Sequence, residues 1–181
     1  MPSPFSEYEI VAMNPNPSCN PQADAHELNE NMKIALVQVG EGDAVAQFAL
    51  PLHMVMECLE FNNQHIGHLF NLRGQALPYL RLAEHFAIPR RARGKEYIVV
   101  VKCGDYRIGL VVDRFPGEVP ATIRPMRVLA AADRDRFCAS ATLADDSVAP
   151  LLDMPALVNR VLRQASLPDG LRLLASLARA G

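Results

Sequence analysis

From residue 32 to residue 152 the chain is written as short apolar runs, each closed by a turn signal. Few folds accept that rhythm. Helices need longer stretches of 3.6-residue periodicity, and a parallel sheet needs a helical crossover between its strands. Residues 33–39 (KIALVQV) set Ile34 and Leu36 against Ala35, Val37 and Val39. Both faces are apolar, which predicts a strand buried on two sides. Glu41, Gly42 and Asp43 make a turn, and residues 46–51 (AQFALP) return with Phe48 and Leu50 on one face, predicting a hairpin. Residues 54–61 (MVMECLEF) alternate Val55, Glu57 and Leu59 with Met56, Cys58 and Glu60, as a strand does. Residues 69–82 (LFNLRGQALPYLRL) hold two apolar runs split by Arg73 and Gly74, a second hairpin. A short helix is expected over 83–88, ended by Pro89, and a basic loop over 90–95 (RRARGK).

The second half repeats the style. Residues 97–101 (YIVVV) are β-branched and predict a buried strand. Gly104 and Asp105 turn the chain into residues 106–113 (YRIGLVVD). Residues 118–124 (EVPATIR) align Val119, Ala121 and Ile123, with Pro120 marking an edge or a bulge. Residues 139–143 and 148–152 flank Asp145, Asp146 and Ser147 as a last hairpin. Asp153 or Met154 as cap, with Pro155 in the first turn, then opens an apolar stripe of Leu157, Val158, Val161 and Leu162 at helical spacing. The expectation is an all-β barrel or sandwich with few short helices.

Composition sets the limits around that core. The chain has 181 residues, of which 50% are hydrophobic and 21% charged, enough for one domain or two small interlocked ones. Residues 1–31 carry five prolines among Asn and Gln and read as a tail, with 8–13 the best candidate for an edge strand. Residues 32–165 form the folded domain, and residues 166–181 a second tail with a possible short helix. The net charge of −2 and the absence of Trp argue against a basic nucleic-acid glove or an aromatic platform for single strands. The four cysteines, at 19, 58, 103 and 138, make no C-x-x-C pair. The first residues lack a basic segment followed by an apolar one, and no apolar run reaches membrane-span length. The chain reads as cytosolic, with free thiols and no direct membrane insertion.

No enzyme motif is present. Gly40 and Gly42 begin a G-x-G, but Val45 stands at the third glycine position and a strand follows, so a hairpin turn is the better reading. His65 and His68 are three apart and can share a metal on a helix, but Gly67 and the neighbouring asparagines predict a solvated loop there. A thiol or metal enzyme built on Cys58, His65 and His68 stays as one alternative. A small-barrel nucleic-acid-binding protein using Arg90, Arg91, Arg93 and Lys95 stays as another. No catalytic residue, metal ligand or cofactor site is expected. The Arg73–Gly74 turn is more informative: an exposed Arg between two apolar strands is either a plain surface charge or a planar fork for a partner's carboxylate or carbonyl.

Four segments then resemble one family in its own order. Residues 70–82 (FNLRGQALPYLRL) resemble the "NLRG" hairpin of the CheW-like domain of bacterial chemotaxis. Residues 48–58 (FALPLHMVMEC) resemble its "FALPL..V.E" segment, and residues 97–101 with 108–113 (IGLVVD) resemble its "VVV…GLVVD" pair. Residues 141–143 through 148–153 resemble its last hairpin, with three departures: Ser140 in place of Gly, Asp146-Ser147 in place of Asp-Gly, and Pro150 inside the strand.

The resemblance implies two intertwined SH3-like five-stranded β-barrels with short helices. It implies a non-catalytic scaffold that couples the cytoplasmic tip of chemoreceptors to the histidine kinase CheA and pairs with other CheW-like domains in membrane-associated arrays. The details "LPYLRL" and "IRP" look more like the regulatory domain of the kinase than the free-standing adaptor CheW, so a separated regulatory domain of CheA is the alternative. By position, Arg73 matches the Arg of the "NLRG" turn and is the expected partner contact. Val55 and Glu57 match a strand bordering the receptor groove, and Val111 and Asp113 match the strand across it. Leu72 and Leu77 are expected to support the hairpin from the core.

Overall fold

The computed structural model describes residues 32–62, 64–90, 94–126 and 136–165. Both expected tails, including the candidate edge strand over 8–13, lie outside the described residues. Among the described residues there are eleven strands and two α-helices: β1 (Met32–Val39), β2 (Ala46–Pro51), β3 (Val55–Phe61), β4 (His65–Ile66), β5 (Leu69–Leu72), β6 (Gln75–Arg81), α1 (Leu82–His85), β7 (Glu96–Cys103), β8 (Tyr106–Val112), β9 (Arg114–Arg124), β10 (Phe137–Leu143), β11 (Val148–Leu152) and α2 (Met154–Ala165). Among the described residues no helix is long and apolar enough to cross a membrane.

The strands divide into two units. In the first, β1, β2, β11, β10 and β9 close into a barrel. Its interior takes side chains from all five strands: Ile34 and Leu36, then Ala49, Ala121, Ala141 and Ala149. A barrel of so few strands is narrow, and four alanines are what fits between the larger residues. The other face of β1 and β2 (Ala35, Val37, Val39, Phe48, Leu50) turns outward against the second unit. The double burial expected for β1 thus has a physical cause: one face lines the barrel and the other lines the shared core.

The second unit is a curled six-stranded sheet in the order β3-β7-β8-β6-β5-β4, one strand more than expected. The extra strand is β4, at the place read as a solvated loop. His65 and Ile66 pair with Phe70 and Leu69 there. The sheet is also buried on both faces. Its concave side holds Phe61, Phe70, Leu72, Leu77, Tyr79, Ile98, Val100 and Val111. Its convex side (Leu80, Val99, Val101, Ile108, Leu110, Val112) packs on the barrel and on α2 through Met154, Leu157, Val158 and Val161. Gly109 sits on the concave side, where an added Cβ would fall 2.8 Å from Ile98 Cγ1 and 3.2 Å from Tyr79 Cβ. Only a glycine lets β8 approach its neighbours there.

Three joints tie the units together. Phe48, Phe86 and Phe137 stack, with Phe48–Phe86 and Phe86–Phe137 centroids 4.4 Å and 5.4 Å apart. The Gly40 N–H donates to Asp113 Oδ2 at 2.7 Å, and the Asp113 N–H donates to the Gln38 carbonyl at 3.0 Å. Gly40 has φ of +95°, and a Cβ there would collide with the Ala44 carbonyl, so no side chain fits under that carboxylate. Finally, of the two caps that the sequence offers for α2, Asp153 and Met154, the structure uses the first. Asp153 caps it, its Oδ1 accepting from the Ala156 N–H at 3.1 Å, and Pro155 lies in the first turn.

Smaller differences from the sequence reading are local. Residues 52–54 form a 3-10 turn, so the third strand starts at Val55 rather than Met54. The first helix is shorter and earlier, Leu82–His85. The strand carrying Pro120 begins at Arg114 and absorbs Phe115 and Pro116 in a bulge opposite Val37 of β1. Pro120 lies where β9 pairs with β1 alone, since β10 takes up its other edge from Ala121 onward. The missing N–H costs no ladder bond on that open side. Likewise Ser147 is held by the Asp145 carboxylate, which accepts from its N–H at 3.0 Å and its hydroxyl at 2.6 Å, so the hairpin forms without the usual glycine.

Candidate functional site

Two left-handed residues make the turn between β5 and β6. Arg73 has φ of +50° and Gly74 φ of +83°. A two-residue hairpin with right-twisted strands demands that pair of angles. Glycine supplies the second without strain, and Asn71 steadies it, its Oδ1 accepting from the Gly74 N–H at 2.8 Å. Nothing in the turn favours an arginine at the first. Its head group gives the reason. Nη1 and Nη2 of Arg73 donate to the two carboxylate oxygens of Glu57 at 2.9 Å and 2.6 Å, a parallel fork.

Glu57 belongs to β3, at the far end of the sheet order from β4 and β5. The pair therefore crosses the gap between the two ends of the sheet, where no backbone ladder runs. Lower down, aromatic rings cross the same gap: Phe61 of β3 stacks on His65 of β4 at 4.7 Å and on Phe70 of β5 at 5.5 Å. The Arg73 fork holds the Glu57 carboxyl below the ordinary glutamate range, opposed by its partial burial and assisted by Arg107. Arg107 in turn donates to Gln75 Oε1 at 2.6 Å. The mouth of the second unit thus presents two hydrogen-bonded pairs, Arg73–Glu57 and Arg107–Gln75, coupled by the charge of Arg107 on Glu57. The Arg73 side chain is 69% exposed, so the pair stands at the solvent boundary.

The other expected site residues separate. Val55 is half-buried at the start of β3, opposite Val101, and packs on the shared core. Val111 is 3% exposed and faces the concave interior of the sheet. Asp113 is 7% exposed and spends its carboxylate on Gly40. Arg73 and Glu57 are joined, whereas Val111 and Asp113 support from inside. Leu72 and Leu77 are buried in the concave core, as expected.

Sequence reasoning missed Met56 and Arg107. Met56 is 52% exposed because a bulge between Val55 and Glu57 breaks the alternation of β3 and turns it outward. No residue in that run signals a bulge. Arg107 joins the set because β6 and β8 are parallel neighbours, a pairing that local sequence does not encode.

The alternatives find little support in the geometry. Among the described residues no three His, Cys, Asp or Glu side chains gather around a point where a metal ion fits. His65 Nδ1 lies 2.9 Å from the Asn62 carbonyl. Burial pushes the Cys58 thiol up, away from the thiolate a nucleophile needs. Residues 91–93 of the basic loop lie outside the described residues. Its flanks are engaged with acids: Arg90 with Glu84 at 3.6 Å and Glu96 at 3.5 Å, and Lys95 with Glu60 at 3.0 Å.

Known proteins share this fold. The family model described as the CheW-like domain matches residues 33–162. A chemotaxis protein CheA from Treponema pallidum (strain Nichols) is 27% identical over 143 residues, covering 71% of this chain. The match spans only 16% of that relative's length. The scaffolding protein TtCheW from Thermoanaerobacter tengcongensis superposes with a TM-score of 0.53 at 21% identity, over 68% of this chain and 90% of its own. The two-unit fold, the "NLRG" turn and the match across most of the chain lead to one conclusion: this chain belongs to the CheW-like domain family.

Proposed function

We propose that this domain is a non-catalytic chemotaxis adaptor. It couples the cytoplasmic tip of a chemoreceptor to a CheA-type kinase at a receptor array on the cytoplasmic side of the membrane. The observation that carries this reading is the Arg73–Glu57 fork, displayed at a mouth that no backbone ladder closes. A two-pronged ion pair at a solvated seam adds little to a fold, because solvent screens it. It is well suited to setting register against a helical partner, with apolar side chains beside it supplying area. Exposed Met56 and half-buried Val55 provide that apolar border. Arg73 and Glu57 touch the partner, and Val111 and Asp113 hold the groove from behind.

The test is a binding titration against a chemoreceptor cytoplasmic fragment and against a CheA lacking its own regulatory domain, with Arg73→Ala in parallel. Binding weakened by about ten-fold or more in Arg73→Ala, with the fold intact, is the expected result. Binding untouched by the substitution keeps the adaptor and moves the contact elsewhere. Failure to bind either partner ends the adaptor reading.

The match to the Treponema CheA favours a second reading, a regulatory domain of kinase lineage. On this reading the domain, supplied to a kinase core lacking its own copy, is expected to raise autophosphorylation. On the adaptor reading it binds the core and leaves that activity unchanged.

A further inference from the structure

Charge is divided unevenly along this chain. Residues 1–31 hold five carboxylates, Glu7, Glu9, Asp24, Glu27 and Glu30, and no Lys or Arg. The net charge of −2 is therefore −5 over that segment and +3 over residues 32–181. Such asymmetry points to an electrostatic partner for the acidic part. Glu7 and Glu9 also stand among Phe5, Tyr8 and Ile10, so residues 5–13 offer carboxylates and apolar area together.

The mouth of the second unit carries the complementary charge. Lys102 of β7 and Arg107 of β8 are direct cross-strand partners, and both are exposed. Like charges placed directly opposite destabilise a sheet. Among the described residues Lys102 pairs with no carboxylate, and Asp105 in the turn between the two strands pairs with neither cation. Arg107 donates to Gln75, which is neutral. Arg73 adds a third cation, set against the single carboxylate of Glu57. Met56, next to Glu57 and 52% exposed, supplies an apolar surface beside them. The facing cations leave room for an anion from outside the described residues.

We propose that residues 5–13 dock on this mouth of their own chain, with Glu7 and Glu9 against Lys102 and Arg107, and with Tyr8 and Ile10 over Met56. The reach is ample. From Met32, where β1 begins, the chain back to Glu9 spans up to about 75 Å, whereas a domain of this size has a radius of gyration of only about 14 Å. A flexible tether holds its end at an effective concentration of about 1 mM, so a contact with a Kd of about 0.1 mM is occupied about ten to one. The consequence rests on the partner site proposed above. A docked segment covers Met56 and the Arg73–Glu57 fork and lowers the partner's apparent affinity by the same factor. The docking itself is independent of that reading.

The experiment is zero-length carbodiimide cross-linking of the full chain, read by peptide mass spectrometry. The lysines of the chain are Lys33, Lys95 and Lys102. Two of them report the fold, because Lys33 lies 2.5 Å from Glu118 and Lys95 lies 3.0 Å from Glu60. Lys102 should be joined to Glu7 or Glu9, and the link should vanish in the double variant Glu7→Gln/Glu9→Gln. A mixture of isotope-labelled and unlabelled chains separates links within a chain from links between chains. The double variant should bind the chemoreceptor fragment about ten-fold more tightly than wild type. Absence of the Lys102 link while the two control links form overturns the proposal. So does a Lys102 link found only between chains, which makes a second copy the occupant, or a partner affinity that the double variant leaves unchanged. Failure of wild type and variant alike to bind the fragment counts against the adaptor reading alone, and the Lys102 link then decides the docking.

Discussion

The two units of this domain close in different ways. The barrel of β1, β2, β11, β10 and β9 closes by backbone pairing all round, most narrowly at Leu151 and Ala49 between β11 and β2, and is filled by Ile34, Leu36 and four alanines. The six-stranded unit leaves β3 and β4 as edges and bridges them with side chains: Phe61 on His65 and Phe70, and Arg73 on Glu57. A ladder cannot be opened without losing several backbone bonds together, while a side-chain bridge can be exchanged one contact at a time. The proposed partner site lies on the exchangeable closure, and the other unit acts as its rigid mount.

The sharpest test of that contrast is Phe61→Ala. It removes a buried ring that spans the gap, and should cost about 3–5 kcal/mol in urea unfolding. Hydrogen exchange should accelerate in β3, β4 and β5 while protection in the closed barrel stays as it was. Equal acceleration in both units would mean that they open together and the contrast is not real. Next comes Asp113→Ala, which strips the carboxylate from the Gly40 N–H at the joint between the units. Loss of a buried, charge-assisted bond predicts a destabilisation of about 2–3 kcal/mol. A loss under ~1 kcal/mol would show that the stacked phenylalanines and α2 alone hold the units together.

The smallest stability effect belongs to Arg73→Ala, because that side chain is solvated. The unfolding midpoint should barely move while partner binding falls. The sign of its pH dependence follows from Glu57. The carboxyl is held below its ordinary value of 4.5, so the pair's contribution is present above that value and is lost as the pH falls through the lowered one. The difference between wild type and Arg73→Ala should therefore be flat from about pH 7 to pH 5 and shrink only in more acidic solution. A difference that already shrinks near neutrality would point to a histidine rather than Glu57 as the partner of Arg73.

Much of this was legible in the sequence because it is local. The Arg73–Gly74 hairpin, the Gly104–Asp105 turn and the Asp153 cap are each decided by a few adjacent residues whose backbone preferences agree. Other features were not legible. His65 and Ile66 form a strand because Phe70 and Leu69 offer an edge and Phe61 offers a ring, and neither preference resides in the residues themselves. Val111 and Asp113 were matched to a groove by position, yet the curl of the sheet turns one inward and the joint between units engages the other.

The sequence by itself determined an all-β domain of short strands, the places of its tight turns, and an arginine at one of them with no local reason to be there. Apolar alternation and turn chemistry act over a few residues, so they survive without a neighbour. The tertiary structure alone decided which strands meet, that one unit closes by ladder and the other by side chains, and that Arg73 finds Glu57. These juxtapositions join residues far apart in the chain, and only the packing of two doubly buried sheets around one core sets their distances.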